Sequence, residues 1–71
     1  MYKEIFQIKL KEARKKREFT QEEAAKELGI SRTNITNYET GRTEPDIETL
    51  CRLIELYEIS ADWLLGTGMK R

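Results

Sequence analysis

Four side chains within six residues, Arg32, Thr33, Thr36 and Asn37, carry the donors, acceptors and methyls with which base-pair edges are read. On a helix turning about 100° per residue they share one side with Thr40, within roughly 140° of Arg32. Ile35 and Tyr38 fall at roughly 300° and 240°, on the opposite side. Exposed helix faces are ordinarily built from Glu, Lys, Gln and Ala, which favour helix. This one is built from poor helix formers of short reach. In a major groove, Arg pairs with guanine, Asn with adenine, and Thr methyls touch thymine methyls. The same residues are also consistent with a merely poor exposed helix, and only their setting discriminates.

Competing chemistries lack their residues. The chain has no His and a single Cys, Cys51, so neither a zinc site nor an internal disulfide is expected. The commonest general base is missing, and no phosphate-cradling glycine loop, nucleophile elbow or metal-binding carboxylate cluster is visible. No catalysis and no cofactor are expected. No apolar run approaches the ~20 residues of a membrane span, which predicts a soluble protein. Thirteen basic residues balance thirteen acidic ones over 71 residues, but unevenly. Residues 1–17 carry a net charge of +5, residues 18–30 of −3 and residues 46–71 of −2. A basic first segment can face a polyanion, although a charge run is usually a solvated helix face.

The elements that must position these side chains are all helical. Val is absent, Gly and Pro fall between periodic blocks, and no hairpin signal occurs. The first helix is expected from about Tyr2 to Arg17, with Phe6, Leu10 and Ala13 inward. Thr20 and Glu23 form a capping box that opens a second helix over Gln21–Leu28, with Ala24, Ala25 and Leu28 inward and Gly29 ending it. Ser31 caps a third helix that Gly41 stops at Glu39 or Thr40. Residues 41–45 are a loop, and Asp46 caps a fourth helix carrying Leu50, Leu53, Ile54 and Tyr57 on one stripe. Ser60 caps a short fifth helix over Ala61–Leu65, before Gly66 and Gly68 release a basic tail. The expected fold is all-α, one compact unit of five helices.

The run FTQEEAAKELGISRTNITNYETGRTEP, followed by ISADWLLG, resembles the helix-turn-helix domain of phage Cro and C1 repressors and the xenobiotic-response-element regulators. Gln21, Ala25, Gly29, Ser31, Ile35, Glu39, Gly41 and Pro45 stand at that family's spacing. The resemblance implies a lambda-repressor-like domain over residues 10–66, with the helix-turn-helix at about 20–40. Residues 1–9 extend the first helix, and 67–71 form a short tail. It further implies that Arg32, Thr33, Thr36 and Asn37 contact bases, with Thr36 at the margin. Thr20, Gln21, Ser31, Thr40, Arg42 and Thr43 would contact the DNA backbone. Arg14 and Glu39 match positions where the family places a partly buried ion pair. Three departures stand out. Ala24 is small, so Phe6 or Phe19 must fill its neighbourhood. Glu18 occupies a turn position where a positive φ would strain it. Tyr38 replaces a frequent Trp.

The implied function is sequence-specific binding of double-stranded DNA by a transcriptional regulator, a repressor acting as a homodimer on a palindromic operator. Such a protein would be cytoplasmic and nucleoid-associated, encoded by a bacterium or phage. Control would come from concentration, competition for sites or a partner. RNA polymerase and an antagonist protein are the further partners in view. The alternative is an interaction module of the same fold, an antitoxin or anti-repressor, whose ligand is a protein. The polar helix-three face argues against it, since protein interfaces favour apolar anchors. For the homodimer, Ile59, Trp63, Leu64, Leu65 and Met69 offer more apolar surface than one small core can take. Trp63 and Leu64 are expected inside, leaving Leu65 and Met69 for the second copy.

Overall fold

The computed structural model describes residues 2–65, with side chains from residue 4 onward. Helix α1 spans Tyr2–Lys16, α2 Gln21–Leu28, α3 Arg32–Thr40, α4 Ile47–Tyr57 and α5 Ala61–Leu65. No strand occurs among the described residues, and no helix is long and apolar enough to cross a membrane. The expected segments are present, with α1 ending at Lys16 instead of Arg17.

Local chemistry sets these boundaries. Thr20 Oγ1 accepts from the Glu23 amide at 3.0 Å while the Glu23 carboxylate accepts from the Thr20 amide at 2.9 Å, closing the capping box. Ser31 Oγ accepts from the Asn34 amide at 3.4 Å and opens α3. Asp46 Oδ1 accepts from the Thr49 amide at 2.9 Å, and its hydrogen bonds to Thr49 hold the carboxyl below the usual range. Gly29 and Gly41 end α2 and α3 at φ 70° and 83°, and their amides return to carbonyls of the preceding turn.

Helices α1 and α4 are followed by a left-handed turn without glycine. Glu18 sits at φ 62° and Glu58 at φ 57°. Glu18 was the turn position expected to be strained; Glu58 follows α4 with no glycine or asparagine to signal it. A left-handed backbone costs a side-chain-bearing residue about 1–2 kcal/mol, part of which glycine loses again through greater unfolded-state freedom. Glu18→Gly and Glu58→Gly are therefore each expected to raise stability by about 0.5–1 kcal/mol. Thermal melting checks this, each kcal/mol being worth about 4–8 °C in a domain this small. Loss of the exposed Arg17–Glu58 ion pair, 3.2 Å long, subtracts little.

The core joins all five helices: Phe6, Leu10 and Ala13 of α1, Ala24, Ala25 and Leu28 of α2, Ile35 and Tyr38 of α3, Leu53 and Tyr57 of α4, and Leu64 of α5. Ala24 is fully buried, and Phe6 and Phe19 both pack into this cluster. Helix α2 packs on α3, and α1 braces both α3 and α5.

One expected core residue is outside. Trp63 retains 40% of its surface, whereas its neighbour Leu64 retains none. Adjacent residues of a helix point about 100° apart, and α5 offers its core-facing side to Leu64. Trp63 lies at the rim, where the Lys9 ammonium sits 5.0 Å from its ring centre and donates to its carbonyl at 2.8 Å. Leu65 and Ile59 are half-buried. Met69 and the tail from Gly66 onward lie outside the described residues.

Candidate nucleic-acid interface

The exposed side of α3 follows from what its other side buries. Ile35 and Tyr38 turn into the core with relative exposures of 1% and 9%, which directs Arg32, Thr33 and Thr40 to solvent and leaves Thr36 and Asn37 half-exposed. Burial, and then nearby Asp46, raise the Tyr38 hydroxyl pKa. Arg32 makes one long contact, Nε to Gln21 Oε1 at 3.5 Å. Its terminal nitrogens have no protein partner among the described residues, which leaves the flat fork that pairs with guanine. Thr33 and the Asn37 side chain are likewise without hydrogen-bonded partners among the described residues, although the Asn37 carbonyl accepts from the amides of Gly41, Arg42 and Thr43.

The expected backbone contacts divide by what their hydroxyls can still do. A phosphate oxygen only accepts, so a contacting hydroxyl must supply its proton. Thr20 and Ser31 act as acceptors in their caps, which leaves both protons available. Thr40 differs: its hydroxyl donates to the Thr36 carbonyl at 2.9 Å and more weakly to the Asn37 carbonyl at 3.5 Å. It must give up that bond to serve a phosphate. Arg42 and Thr43 are exposed on the loop beyond Gly41. Thr20, Gln21, Arg14 and Arg32 line an open recess of about 390 Å³ together with Phe19 and Glu22. The amides of Gln21 and Glu22 at the N-terminus of α2 and the Arg32 guanidinium can meet an anion there, whereas Glu22 opposes one and the Arg14 charge is already matched by Glu39.

Beneath this surface lies a buried polar chain. Arg14 Nε donates to Glu39 Oε2 at 2.7 Å, and Nη2 to Oε1 at 3.2 Å, a bidentate fork between α1 and the end of α3. The two side chains are only 8% and 2% exposed. The third Arg14 nitrogen donates to the Phe19 carbonyl at 2.8 Å, tying in the turn before α2. The hydrogen bond to Glu39 raises the Arg14 pKa, against burial, which lowers it. Gln21 extends the chain: Nε2 donates to Glu39 Oε1 at 3.1 Å, and Oε1 accepts from the Thr36 hydroxyl at 2.9 Å. The Gln21 amide is thus engaged at both ends inside the protein, with one N–H left over. Sequence spacing suggests no such engagement, because it depends on the angle at which α2 crosses α3.

The Tyr57 hydroxyl is buried beside this pair without a hydrogen-bond partner among the described residues. Its ring packs against Phe19, centroids 6.3 Å apart. Burial raises its pKa strongly, and the charge of Glu39 adds to the shift. A raised folded-state pKa means stability that is complete below the unfolded value of about 10 and is lost as pH climbs through the folded one. Tyr57→Phe is expected to keep the fold, gain up to about 1 kcal/mol by removing the unpartnered hydroxyl, and flatten the loss of stability above about pH 10. Denaturant melts of both proteins at neutral pH and at pH 10–11 check this.

Comparison with known proteins places this geometry in a family. A helix-turn-helix family model matches residues 10–64. The HTH-type transcriptional regulator ImmR of Bacillus subtilis is 50% identical over 58 residues, covering 82% of this chain and 46% of that protein. The cryptic phage CTXphi transcriptional repressor RstR of Vibrio cholerae is 43% identical over 47 residues, 66% of this chain and 42% of its own. The ImmF control region 10 kDa protein of Bacillus phage phi105 is 38% identical over 61 residues, 86% of this chain and 68% of its own. The chain spans about half the length of the first two curated relatives it matches. A capped α2, a left-handed glycine turn and an α3 with one buried and one polar face, matched over most of the chain, establish that it belongs to the helix-turn-helix family, of the Cro/C1 type.

Proposed function

We propose that the chain is a sequence-specific double-stranded-DNA-binding transcriptional repressor that acts as a homodimer on a palindromic operator. The observation that carries this reading is the α3 surface, where the side chains of Arg32, Thr33 and Asn37 have no hydrogen-bonded partner among the described residues apart from the long Arg32 contact. Around them, Thr20 and Ser31 retain protons for phosphates, Arg42 and Thr43 flank the loop, and Gln21 keeps one N–H to offer. Thr40 joins them on exchanging its intrahelical bond. With zero net charge the non-specific attraction to phosphates is weak, so affinity leans on this specific set.

One module offers three or four base readers; two, on half-sites about 34 Å apart, give usable specificity. Helix α3 must stay free for DNA, and a Lys- and Arg-rich α1 repels its own copy. The second copy therefore docks around α5, on half-buried Leu65, with the exposed Trp63 at the rim and Met69 beyond the described residues. Such a repressor works at the nucleoid, within the cytoplasm. RNA polymerase or an antagonist protein is a further partner.

Selection of bound sequences from random duplex DNA tests the reading. An enriched inverted repeat supports it, and absence of any enrichment contradicts it. Sedimentation with the enriched duplex is expected to show two chains per duplex. Leu65→Asp is expected to reduce that cooperativity.

A further inference from the structure

The buried chain that begins at Arg14 fixes the polarity of a side chain on the recognition surface. A guanidinium only donates, and a carboxylate facing it only accepts. Glu39 Oε1 must therefore be met by the NH₂ end of the Gln21 amide, at 3.1 Å. That turns Gln21 Oε1, an acceptor only, toward α3. Two groups reach it, and both are donors: Arg32 Nε at 3.5 Å and Thr36 Oγ1 at 2.9 Å. A hydroxyl has a single proton, and Gln21 holds the one on Thr36.

We infer that Thr36 addresses DNA as a hydrogen-bond acceptor, and so selects a base pair that presents an amino group, adenine N6 or cytosine N4, over one that presents a keto oxygen there. The inference rests on the proposed reading of α3 as a base reader. It makes Gln21 a positioning residue for specificity besides any phosphate contact, and it runs from a buried cation on α1 to a half-exposed hydroxyl on α3. Only the amino groups of adenine and cytosine donate in the major groove, whereas guanine and thymine offer acceptors that a hydroxyl without a free proton cannot serve.

The test is the base preference of wild type, Thr36→Val and Gln21→Leu, selected in parallel from random duplexes. Thr36→Val keeps shape and methyl but loses the hydroxyl, so the position at which its selection departs from wild type marks the pair that Thr36 addresses. At that pair wild type is expected to favour adenine or cytosine on the contacted strand, and Thr36→Val to lose about 3- to 10-fold in affinity. A duplex with the amino group deleted, purine for adenine or 2-pyrimidinone for cytosine, should lose a similar factor, and the two losses should not multiply. Gln21→Leu releases the hydroxyl proton and is expected to admit guanine or thymine there. The first two readouts stand even where the Gln21 variant melts early. A wild-type preference for a keto group at that pair, no position altered by Thr36→Val, or multiplying losses would overturn the inference while sequence-specific binding remains. Absence of any sequence preference overturns the underlying reading and the inference with it.

Discussion

Replacing Glu39 by alanine is expected to cost the fold about 3–5 kcal/mol, the usual effect of stranding one member of a buried ion pair. For a domain of this size that approaches the whole stability, roughly 0.05–0.15 kcal/mol per residue. The cause is specific. Glu39 accepts two hydrogen bonds from Arg14 and one from Gln21 in a site that leaves its side chain 2% exposed. Its loss leaves a guanidinium buried with only the Phe19 carbonyl as partner. Arg14→Ala is expected to cost less, because the abandoned carboxylate keeps the hydrogen bond from the Gln21 amide. The double mutant should lie well short of the sum of the single losses, since the second change removes a charge that the first left unpaired. Thermal or denaturant melts of the three variants decide this, and additive losses would show that the two groups do not interact. An Arg14→Met, Glu39→Leu replacement should recover most of the loss, as apolar substitutes for buried pairs often do.

Arg32→Ala and Asn37→Ala are expected to act in the opposite way, on binding and not on folding. Each should weaken binding to the preferred duplex by about 1–3 kcal/mol, roughly 5- to 150-fold, and relax the preference at one base pair. Neither side chain supports the core. Asn37→Ala should even raise thermal stability by a few tenths of a kcal/mol, because alanine favours helix more than asparagine does. A variant that is more stable yet binds less well separates a reading residue from a structural one. Titrations of preferred and single-substituted duplexes, alongside melts, provide both numbers. Equal affinity of both variants and wild type for the preferred site would show that this face does not touch bases.

What the sequence discloses here is what is encoded locally. The Thr20–Glu23 box, the Ser31 and Asp46 caps and the glycine stops at 29 and 41 each need only a few neighbouring residues, and the segments they bound are legible from the chain alone. The left-handed end at Glu58 escapes such reading because no glycine or asparagine marks it. Trp63 escapes for another reason. Both Trp63 and Leu64 are apolar, and which one enters the core depends on the rotation of a five-residue helix against α1, a tertiary quantity. The polar face of α3 is legible as a set of residue types, but not in its internal wiring. Thr36 and Gln21 lie fifteen positions apart, and Gln21 and Glu39 eighteen; nothing in their spacing says that one amide joins them. That link distinguishes Thr36, whose proton is engaged, from Thr33, which has no hydrogen-bonded partner among the described residues.

The central claim, that α3 reads base pairs from its polar side, is tested most directly by backbone and side-chain NMR of the labelled protein titrated with its selected duplex. The largest shifts and the intermolecular contacts to base protons are expected on Arg32, Thr33, Thr36 and Asn37. Smaller, phosphate-type shifts are expected at Thr20, Gln21, Ser31, Arg42 and Thr43, with the core signals of Ile35 and Tyr38 nearly still. Contacts concentrated on the basic side of α1 or around Trp63, with α3 unchanged, would contradict it.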